Sequence, residues 1–402
     1  MFGKYSPTLA VGFVKRGDVL ISIAVQVFLG FSLAHGYDFR VGYVAGRNIA
    51  MGSSPYFGGE LSGELAVGYG ADVQGIGETP LWALYMGLAY IASSGSPLLF
   101  NMITKIPIIA ANVSLAYLLF TRGNQGWRFF LFNPFLILVS STWGKADNLA
   151  TLLIVLGLMR LYSIKTSATS VSLSILIKPL IVAVIPAFLG YLRALSKRAW
   201  LYLAYAIAIS SAIFLTPFML LGWPLATLII GFPNWFRSVG GISPFNIVSI
   251  SLGGYTLPAE LAWLSYTAPI AMLALSILAI IRPPKSFEEA CKLALLSAAF
   301  FFTARPWVSE QNLVLVLTLL ILVYGCMPSR LLWAVPLLFM IANNSLPQQL
   351  YLVWPQVIEW LASLDTYIKP YRLAAQVGLT MAWLAVLWRY VVCAYRGGMG
   401  QD

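Results

Sequence analysis

The stretch that decides the fold lies between residues 129 and 160 and has the sequence FFLFNPFLILVSSTWGKADNLATLLIVLGLMR. Two apolar runs, 129–143 and 146–163, meet at a short polar junction. Lys145 lies between the runs, and Asp147 and Asn148 lie at the start of the second run. A helix that crosses a membrane needs about 20 mostly apolar residues. The runs are continuous and do not alternate between apolar and polar residues, as transmembrane β-strands do. They therefore predict membrane helices and exclude a β-barrel.

The rest of the chain has the same character. Of its 402 residues, 59% are hydrophobic and only 10% are charged, and the mean hydropathy is +0.82. An average soluble domain has about 25% charged and about 45–50% apolar residues. The polar surface would be too small to enclose a soluble core of this size, so a water-soluble enzyme is excluded. The predicted class is an all-α polytopic membrane protein with about 11–13 transmembrane helices.

Two of the apolar stretches are not expected to cross the membrane once. The stretch 79–95 is short and begins with Pro80, which favours a juxtamembrane or re-entrant helix. The stretch 169–192 contains Lys178 and Pro179 at its middle, and proline breaks helices, so we expect two short helices that turn back near Lys178. The complete set of apolar stretches is 18–35, 79–95, 97–120, 129–143, 146–163, 169–192, 200–221, 259–281, 289–304, 310–327, 331–346 and 372–393.

With these two assignments, most of the basic residues fall on one side of the membrane. Cytoplasmic loops of membrane proteins are rich in Lys and Arg, so this side is predicted to be cytoplasmic, together with both termini. The net charge of +11 is explained in the same way, without nucleic acid as a partner. The basic residues assigned to this side are Lys4, Lys15, Arg16, Arg122, Arg128, Arg160, Lys165, Arg193, Lys197, Arg198, Arg282, Lys285, Lys292, Arg330, Arg389 and Arg396, against the acids Asp18, Glu288, Glu289 and Asp402.

The opposite, outer face is predicted to contain three segments. Residues 36–78 form a long loop that is expected to be mobile unless something orders it, because it is rich in glycine. Within it, Phe39–Met51 has helical apolar spacing and is expected to lie along the membrane interface. Residues 222–258 form the second segment, and residues 347–371 are predicted to be an interfacial helix with an aromatic belt. The chain is predicted to divide into a first transmembrane module, 1–195, and a second transmembrane module, 196–402.

Charge at the termini and cysteine usage complete the general picture. Basic residues precede the first apolar stretch without a small-residue cleavage site, which predicts an uncleaved signal anchor. Cys291, Cys326 and Cys393 lie in or beside apolar helices and imply no disulfide framework.

Two aspartates are placed where charge is costly. Ionisable groups at membrane depth mark function by default, and Asp38 and Asp147 both map to the outer boundary of the bilayer. As a pair they fit a general base and a second acid that orients an acceptor or binds a metal. Asp147 also fits a helix N-cap equally well, because aspartate suits the positive end of a helix. The only histidine, His35, is expected to be a structural hydrogen-bonding residue.

Cations at the same depth are candidates for holding a lipid-linked phosphate. Lys178 and Arg305 map to outer helix ends and Arg237 to an outer loop, while snorkelling to lipid headgroups remains the alternative for each one. Lys105 lies in the middle of a span and is expected to pair with an acid that the sequence does not identify. The chain contains no nucleotide-binding glycine motif and no metal-ligand spacing of His, Cys and Asp. A donor that arrives through the lipid is the natural substitute for a soluble nucleotide donor.

The order of these features resembles the C-type (GT-C) fold of polyprenol-dependent glycosyltransferases. The matching features are Asp38 after the first span, Gly46-Arg47, Gly52-Ser53-Ser54-Pro55-Tyr56, Glu78-Thr79-Pro80-Leu81, Asn133-Pro134 to Asp147, Lys178-Pro179 and, more weakly, Trp307-Val308-Ser309-Glu310-Gln311-Asn312. The stretch 79–190 is most similar to the catalytic subunit of GPI mannosyltransferase I and to family-87 mannosyltransferases. The GPI enzymes have two aspartates one residue apart after the first span, and here Gly36 stands in place of the first.

The resemblance implies inverting transfer of a sugar, usually mannose, from a polyprenyl or dolichyl phosphate to a lipid-linked or glycan acceptor on the outer or luminal face. Asp38 would be the base and Asp147 the second catalytic acid. Lys178, with Arg237 and Arg305, would bind the donor phosphate. Glu78, Arg47 and Tyr56 would bind the acceptor. No metal ligand is assigned, a divalent cation stays open as a cofactor, and an accessory membrane subunit stays open as a partner.

Two other functions fit the sequence. A secondary transporter or lipid flippase is the first, although such proteins often show two related halves, and none are detected here. A non-catalytic subunit that stabilises a partner transferase is the second. In that case the Asp38→Asn variant would have no effect.

Overall fold

The computed structural model describes residues 7–194, 199–226, 238–252 and 256–396. Within these ranges nearly all regular structure is helical, and the strands are two-residue pairs. Four helices are long and apolar enough to cross a membrane, judged by length and composition: Pro97–Phe120, Ala199–Leu220, Ala259–Ile281 and Val357–Tyr395. Seven further apolar helices of 10–17 residues accompany them. The predicted class, an all-α polytopic membrane protein, is confirmed.

The first part of the chain contains ten α-helices and one strand pair. They are α1 Pro7–Val14, α2 Gly17–Ser32, α3 Gly36–Ala50, β1 Gly59–Glu60, β2 Asp72–Val73, α4 Pro80–Ala92, α5 Pro97–Phe120, α6 Trp127–Phe132, α7 Pro134–Ile137, α8 Asp147–Met159, α9 Ile164–Ile177 and α10 Ile185–Ala194. A π-helical turn, Leu138–Thr142, lies between α7 and α8, and 3₁₀ turns occupy Gly63–Ala66 and Pro179–Val184.

The second part continues in the same way. Its elements are α11 Ala199–Leu220, β3 Gly240–Gly241, α12 Asn246–Leu252, α13 Thr267–Ile281, α14 Phe287–Ala304, β4 Trp307–Val308, α15 Leu313–Tyr324, α16 Leu331–Ala342 and α17 Val357–Tyr395. Short 3₁₀ helices precede α13 (Ala259–Tyr266), α15 (Glu310–Asn312) and α17 (Pro347–Gln349).

Two predicted features are confirmed and two differ. The chain breaks at Lys178, between α9 and a 3₁₀ turn, and Phe39–Met51 falls almost entirely in α3. The predicted continuous run 129–143 is interrupted, because Pro134 lacks the N–H that would continue α6. The predicted division between an interfacial helix, 347–371, and a span, 372–393, is wrong: α17 is one helix of 39 residues that passes through Pro370.

Helix α15 forms the centre of the main core. Every residue from Leu313 to Ile321 has no solvent exposure. A helix that is apolar on all sides is buried on all sides. The surrounding cluster includes Phe13 of α1 and Leu387 of α17, so both parts of the chain contribute to one core.

A smaller core joins α3, α4 and α5 close to Asp38. Glycines allow α3 and α4 to approach closely: a Cβ at Gly46 would lie 2.6 Å from the carbonyl oxygen of Met86, and one at Gly87 would lie 2.5 Å from Ile49. Since the first contact is with backbone, a larger residue at position 46 would force the helices apart. This packing fixes α3, and therefore Asp38, relative to Glu78 at the start of α4.

A buried polar network fixes the π-helical turn that precedes α8. Gln26 accepts hydrogen bonds from Asn112 at 2.9 Å and from Ser141 at 2.7 Å, and Asn148 donates to Asn112 at 2.9 Å. Buried polar groups are costly unless they are hydrogen-bonded, so these contacts strongly favour one arrangement of the turn. The network connects α2, α5 and α8 and holds the segment 143–147 in place.

The glycine-rich loop after α3 is ordered by contacts with the second part of the chain. Tyr69 donates to the side-chain carbonyl of Gln348 at 2.7 Å, and Tyr351 donates to the carbonyl of Leu65 at 2.8 Å. The buried guanidinium of Arg40 donates to the carbonyl of Gly70 and lies over the Tyr69 ring. These contacts hold the loop close to Asp38. They are the ordering contacts without which the sequence predicted a mobile loop.

Candidate active site

The short segment Trp143–Asp147 places three functional side chains in one turn. Gly144 has φ +95°, a conformation that L side chains rarely adopt, and a Cβ there would lie 2.7 Å from Cε of Lys105. Glycine is therefore required at this point. The sharp turn directs Lys145 toward α3 and α4, while Asp147 begins α8.

The first ion cluster consists of Asp38, Glu78 and Lys145. The Lys145 ammonium lies 2.9 Å from Oδ1 of Asp38 and also donates to Oε1 of Glu78. Trp143 Nε1 donates to Oδ2 of Asp38 at 2.6 Å, and its indole stacks on the His35 ring with centroids 4.2 Å apart. Both carboxylate oxygens of Asp38 therefore have a donor, and one cation is shared by two acids.

Electrostatics keep Asp38 ionised and His35 neutral near pH 7. Burial alone would raise the pKa of Asp38, but the Lys145 ammonium and the neighbouring donors outweigh it and bring the pKa to about 2. Burial lowers the pKa of His35 to about 4, although the Asp38 carboxylate opposes that change. The pKa of Lys145 is raised, because its two carboxylate partners outweigh its burial. The cluster thus has a net charge of −1.

A small cavity adjoins the first ion cluster. Its volume is about 30 Å³, and its lining includes Asp38, Glu78, Lys145, Lys105 and Trp143. This is room for no more than a few water molecules. The cavity is therefore too narrow for a sugar in this structure, and binding one would require the surrounding groups to separate.

The second ion cluster is sealed from this cavity. The Asp147 side chain is 1% exposed; it accepts from Lys178 at 2.5 Å and from Asn312 at 2.7 Å. Burial lowers the pKa of the nearby Arg305 guanidinium, and the Asp147 carboxylate opposes that change. Lys178 is the cation in direct contact with this carboxylate.

Several predicted residues meet in these two clusters, but not in one cavity. Asp38 and Glu78 share a cavity wall, whereas Asp147 and Lys178 do not line it. Tyr56 lies near Glu78, and its buried hydroxyl has no hydrogen-bond partner among the described residues. Arg47 is at the far end of α3, beside Gly59. The remaining predicted residue, Arg237, lies outside the described residues.

The sequence interpretation missed Lys145, which is the centre of the first cluster. Its signal was present in the deciding stretch: a lysine at membrane depth, two residues before Asp147. Three buried charged residues, Arg40, Lys105 and Glu310, have no oppositely charged side chain at ion-pair distance among the described residues. Lys105 donates to the carbonyls of Leu33 and Thr142 instead of pairing with an acid, and Glu310 accepts from Asn343 and Ser345.

The acids of the site are already engaged by cations. Lys145 occupies the position between Asp38 and Glu78 where a divalent ion would otherwise bind. In the described part of the chain, no three His, Cys, Asp or Glu residues come together as a potential ligand set. As arranged, these residues do not fit a bound metal ion.

An apolar groove lies directly behind the cavity wall. Its volume is about 330 Å³, and it presents no polar surface. Leu33 lines the groove and the next residue, Ala34, lines the cavity, so one backbone segment separates the two. Trp354 and Trp360 are half exposed in the groove wall. The groove lining is Leu33, Leu138, Leu346, Pro347, Gln349, Leu350, Trp354, Val357 and Trp360.

Comparison with known proteins gives a similarity to a solved structure. No protein-family model matches the chain, and no curated protein matches it. Among solved structures, it is similar to ArnT from Cupriavidus metallidurans, whose crystal structure contains undecaprenyl phosphate. The two chains are 14% identical, the match covers 96% of this chain and 78% of that one, and the TM-score is 0.44. At this level the similarity does not establish a shared fold, a substrate or a mechanism.

Proposed function

We propose that this protein is an integral membrane glycosyltransferase with a GT-C type architecture. It would transfer a sugar, with mannose as the first candidate, from a polyprenyl or dolichyl phosphate to a lipid-linked or glycan acceptor. The reaction would take place on the outer or luminal face and invert the anomeric centre. The observation that carries the proposal is the position of Leu33–Ala34, with buried carboxylates on one side and an apolar groove on the other.

That arrangement suits a substrate with a polar head and a hydrocarbon chain. Burial of apolar surface contributes roughly 25 cal/mol per Å², so the groove would stabilise a chain that reaches the site through the lipid. The carboxylates across the wall would bind sugar or acceptor hydroxyls. A soluble nucleotide donor has no matching feature, because the groove offers no polar surface to a base or a ribose.

In the proposed reaction, Asp38 accepts the proton of an acceptor hydroxyl. The hydroxyl oxygen forms a bond to the anomeric carbon, the bond from that carbon to the phosphate oxygen breaks, and the polyprenyl phosphate leaves with the electron pair. Glu78 and Tyr56 would bind the acceptor. Arg47, in the last turn of the helix that contains Asp38, would be a third acceptor-binding residue. Positioning of the two substrates and charge stabilisation of the phosphate would supply most of the rate enhancement.

The second cluster would bind the donor phosphate. Lys178 would supply the cation in contact with Asp147, with Arg305 as a second cation, and Arg237 is a further candidate from the sequence. Since Asp147 is almost completely buried, we assign it a positioning role through Lys178 and not direct contact with the substrate. A lysine held in this way remains a point charge for phosphate.

The test is a transfer assay with purified protein and a panel of radiolabelled polyprenyl-phosphate sugars, with membrane lipid extract as the acceptor source. We expect a labelled glycolipid with at least one donor, and loss of that product in the Asp38→Asn variant. The matched control is Asp18→Asn, since Asp18 is also an ion-paired aspartate but bonds Arg16 outside both clusters. Absence of product with every donor would refute the proposal.

A lipid flippase remains the second candidate, because the same groove would hold a lipid chain during translocation. The two functions differ in their products. A flippase would give counter-flow of labelled lipid in proteoliposomes with no new glycosidic bond. There would then be no chemical product for the Asp38→Asn variant to abolish.

A further inference from the structure

Lys145 holds the proposed base in an unproductive state. Its ammonium bridges Asp38 and Glu78, and Trp143 engages the second oxygen of Asp38. Among the described residues, the one other basic side chain within ion-pair distance of either acid is His35, whose Nδ1 lies 3.4 Å from Oδ2 of Asp38. A carboxylate with both oxygens engaged by donors is a poor proton acceptor, because protonation would break those contacts. An acceptor hydroxyl therefore has no productive approach while Lys145 stays in place.

The position of Lys145 in the chain gives its ammonium a second destination. It lies in the turn between the two ion clusters, two residues before Asp147, and it follows Gly144, where the backbone is left-handed. The second cluster contains the Lys178 ammonium, which pairs with Asp147. A phosphate bound there would add negative charge next to this turn. Lysine has a flexible four-carbon stem and three donors, which suit the exchange of a carboxylate partner for a phosphate.

We infer that Lys145 is a substrate-displaced counter-ion: the donor phosphate draws its ammonium away from Asp38, and the carboxylate becomes available only when the donor is bound. This inference rests on the proposed function. It assigns Lys145 a positioning role. It also accounts for the small volume of the cavity beside Asp38, about 30 Å³. It also predicts an order of events, with donor binding before activation of the acceptor, which limits loss of the donor to water.

The test measures binding separately from transfer. Purified wild-type protein and the variants Lys145→Met and Lys145→Arg are titrated with farnesyl phosphate, an isoprenyl phosphate without a sugar. We expect the Kd of Lys145→Met to rise about tenfold, as expected for loss of one charge-assisted hydrogen bond to phosphate, and Lys145→Arg to restore most of the affinity. The control is Lys292→Met, because Lys292 pairs with Glu288 on α14, away from both clusters, and its Kd should equal that of wild type.

Transfer kinetics provide the second measurement. With the donor identified by the panel, Lys145→Met should raise KM for the donor by about the same factor as the Kd and should increase hydrolysis of the donor relative to transfer. A folded Lys145→Met variant with wild-type affinity for farnesyl phosphate would overturn the inference, and the lysine would then be a static ion-pair partner. If wild-type protein does not bind farnesyl phosphate, both the inference and the proposed function fail. If wild type binds it and Lys145→Met binds it equally well, only the inference fails.

Discussion

The two ion clusters contain the same types of residue and differ in where they lie. In the first, Asp38 and Glu78 share one lysine at the wall of a cavity, and each of these side chains keeps some exposure. In the second, Asp147 is sealed between Lys178 and Asn312. Removing one partner of a buried ion pair is strongly destabilising, whereas Asp38 and Glu78 line a cavity. The comparison separates an aspartate at a cavity wall from one enclosed by its partners, and only the first is proposed to take part in chemistry.

The largest effect should come from the proposed base. Replacing Asp38 by asparagine keeps the shape and the hydrogen bond to Trp143 but removes the proton acceptor. A general base contributes about 10²–10⁴-fold to rate, so we expect kcat for transfer to fall within that range. The melting temperature in detergent should change little. A variant with more than a tenth of wild-type activity would remove Asp38 from this role and weaken the contrast between the clusters.

The next largest effect should be on stability, at the second cluster. Asp147→Leu leaves Lys178 and Asn312 without their partner, and breaking a buried ion pair costs about 3–5 kcal/mol. We expect a large fall in melting temperature and in yield. The double variant Asp147→Leu with Lys178→Met should recover much of the lost stability, because the uncompensated Lys178 charge is then removed. Equal instability of Asp38→Asn would contradict the separation of roles.

A pH-dependent effect of intermediate size is expected from His35. Its pKa is about 4 in the folded protein and about 6.5 when unfolded. The unfolded state therefore binds more protons between these values, and stability falls as pH decreases from 6.5 to 4. The loss is up to about 3 kcal/mol by linkage. Unfolding measurements at pH 7 and pH 5 should show a smaller difference in His35→Gln. An unchanged difference would mean that other groups control the response.

A smaller effect is expected at the acceptor side of the first cluster. Glu78→Gln removes one charged partner of Lys145 and one acceptor for a substrate hydroxyl. Hydrogen bonds to charged groups are worth about 1.5–3 kcal/mol, so KM for the acceptor should rise about tenfold or somewhat more, with KM for the donor close to wild type. A change confined to the donor would assign Glu78 to phosphate recognition.

The smallest effect should appear at the groove. A tryptophan in place of Leu350 would occupy part of the space between Leu33 and Trp354. Each buried methylene contributes about 0.8 kcal/mol, so the affinity for long polyprenyl phosphates should fall by up to about tenfold, while a short isoprenyl phosphate should be less affected. Equal loss for short and long chains would place the hydrocarbon elsewhere.

The membrane class and several of the elements could be predicted from the sequence. The run 310–327 predicts a membrane helix, and Lys178-Pro179 predicts a chain break, because apolar runs and proline act locally. The division of 347–393 into two helices was wrong for a related reason. A proline and a few charges do not end a helix when the neighbouring helices stabilise it, and α17 continues through Pro370.

The sequence by itself determined that ionisable residues would lie at membrane depth, since Asp38, Asp147 and Lys178 stand among apolar runs. Tertiary structure alone decided the partners of these residues. The contact of Lys145 with Asp38 joins positions 107 residues apart in the chain, and the contact of Asn312 with Asp147 joins positions 165 apart. Local patterns specify which residues are charged. Only long-range packing, through close helix contacts at Gly46 and the buried network around Asn112, specifies which charges meet and which are exposed to a cavity.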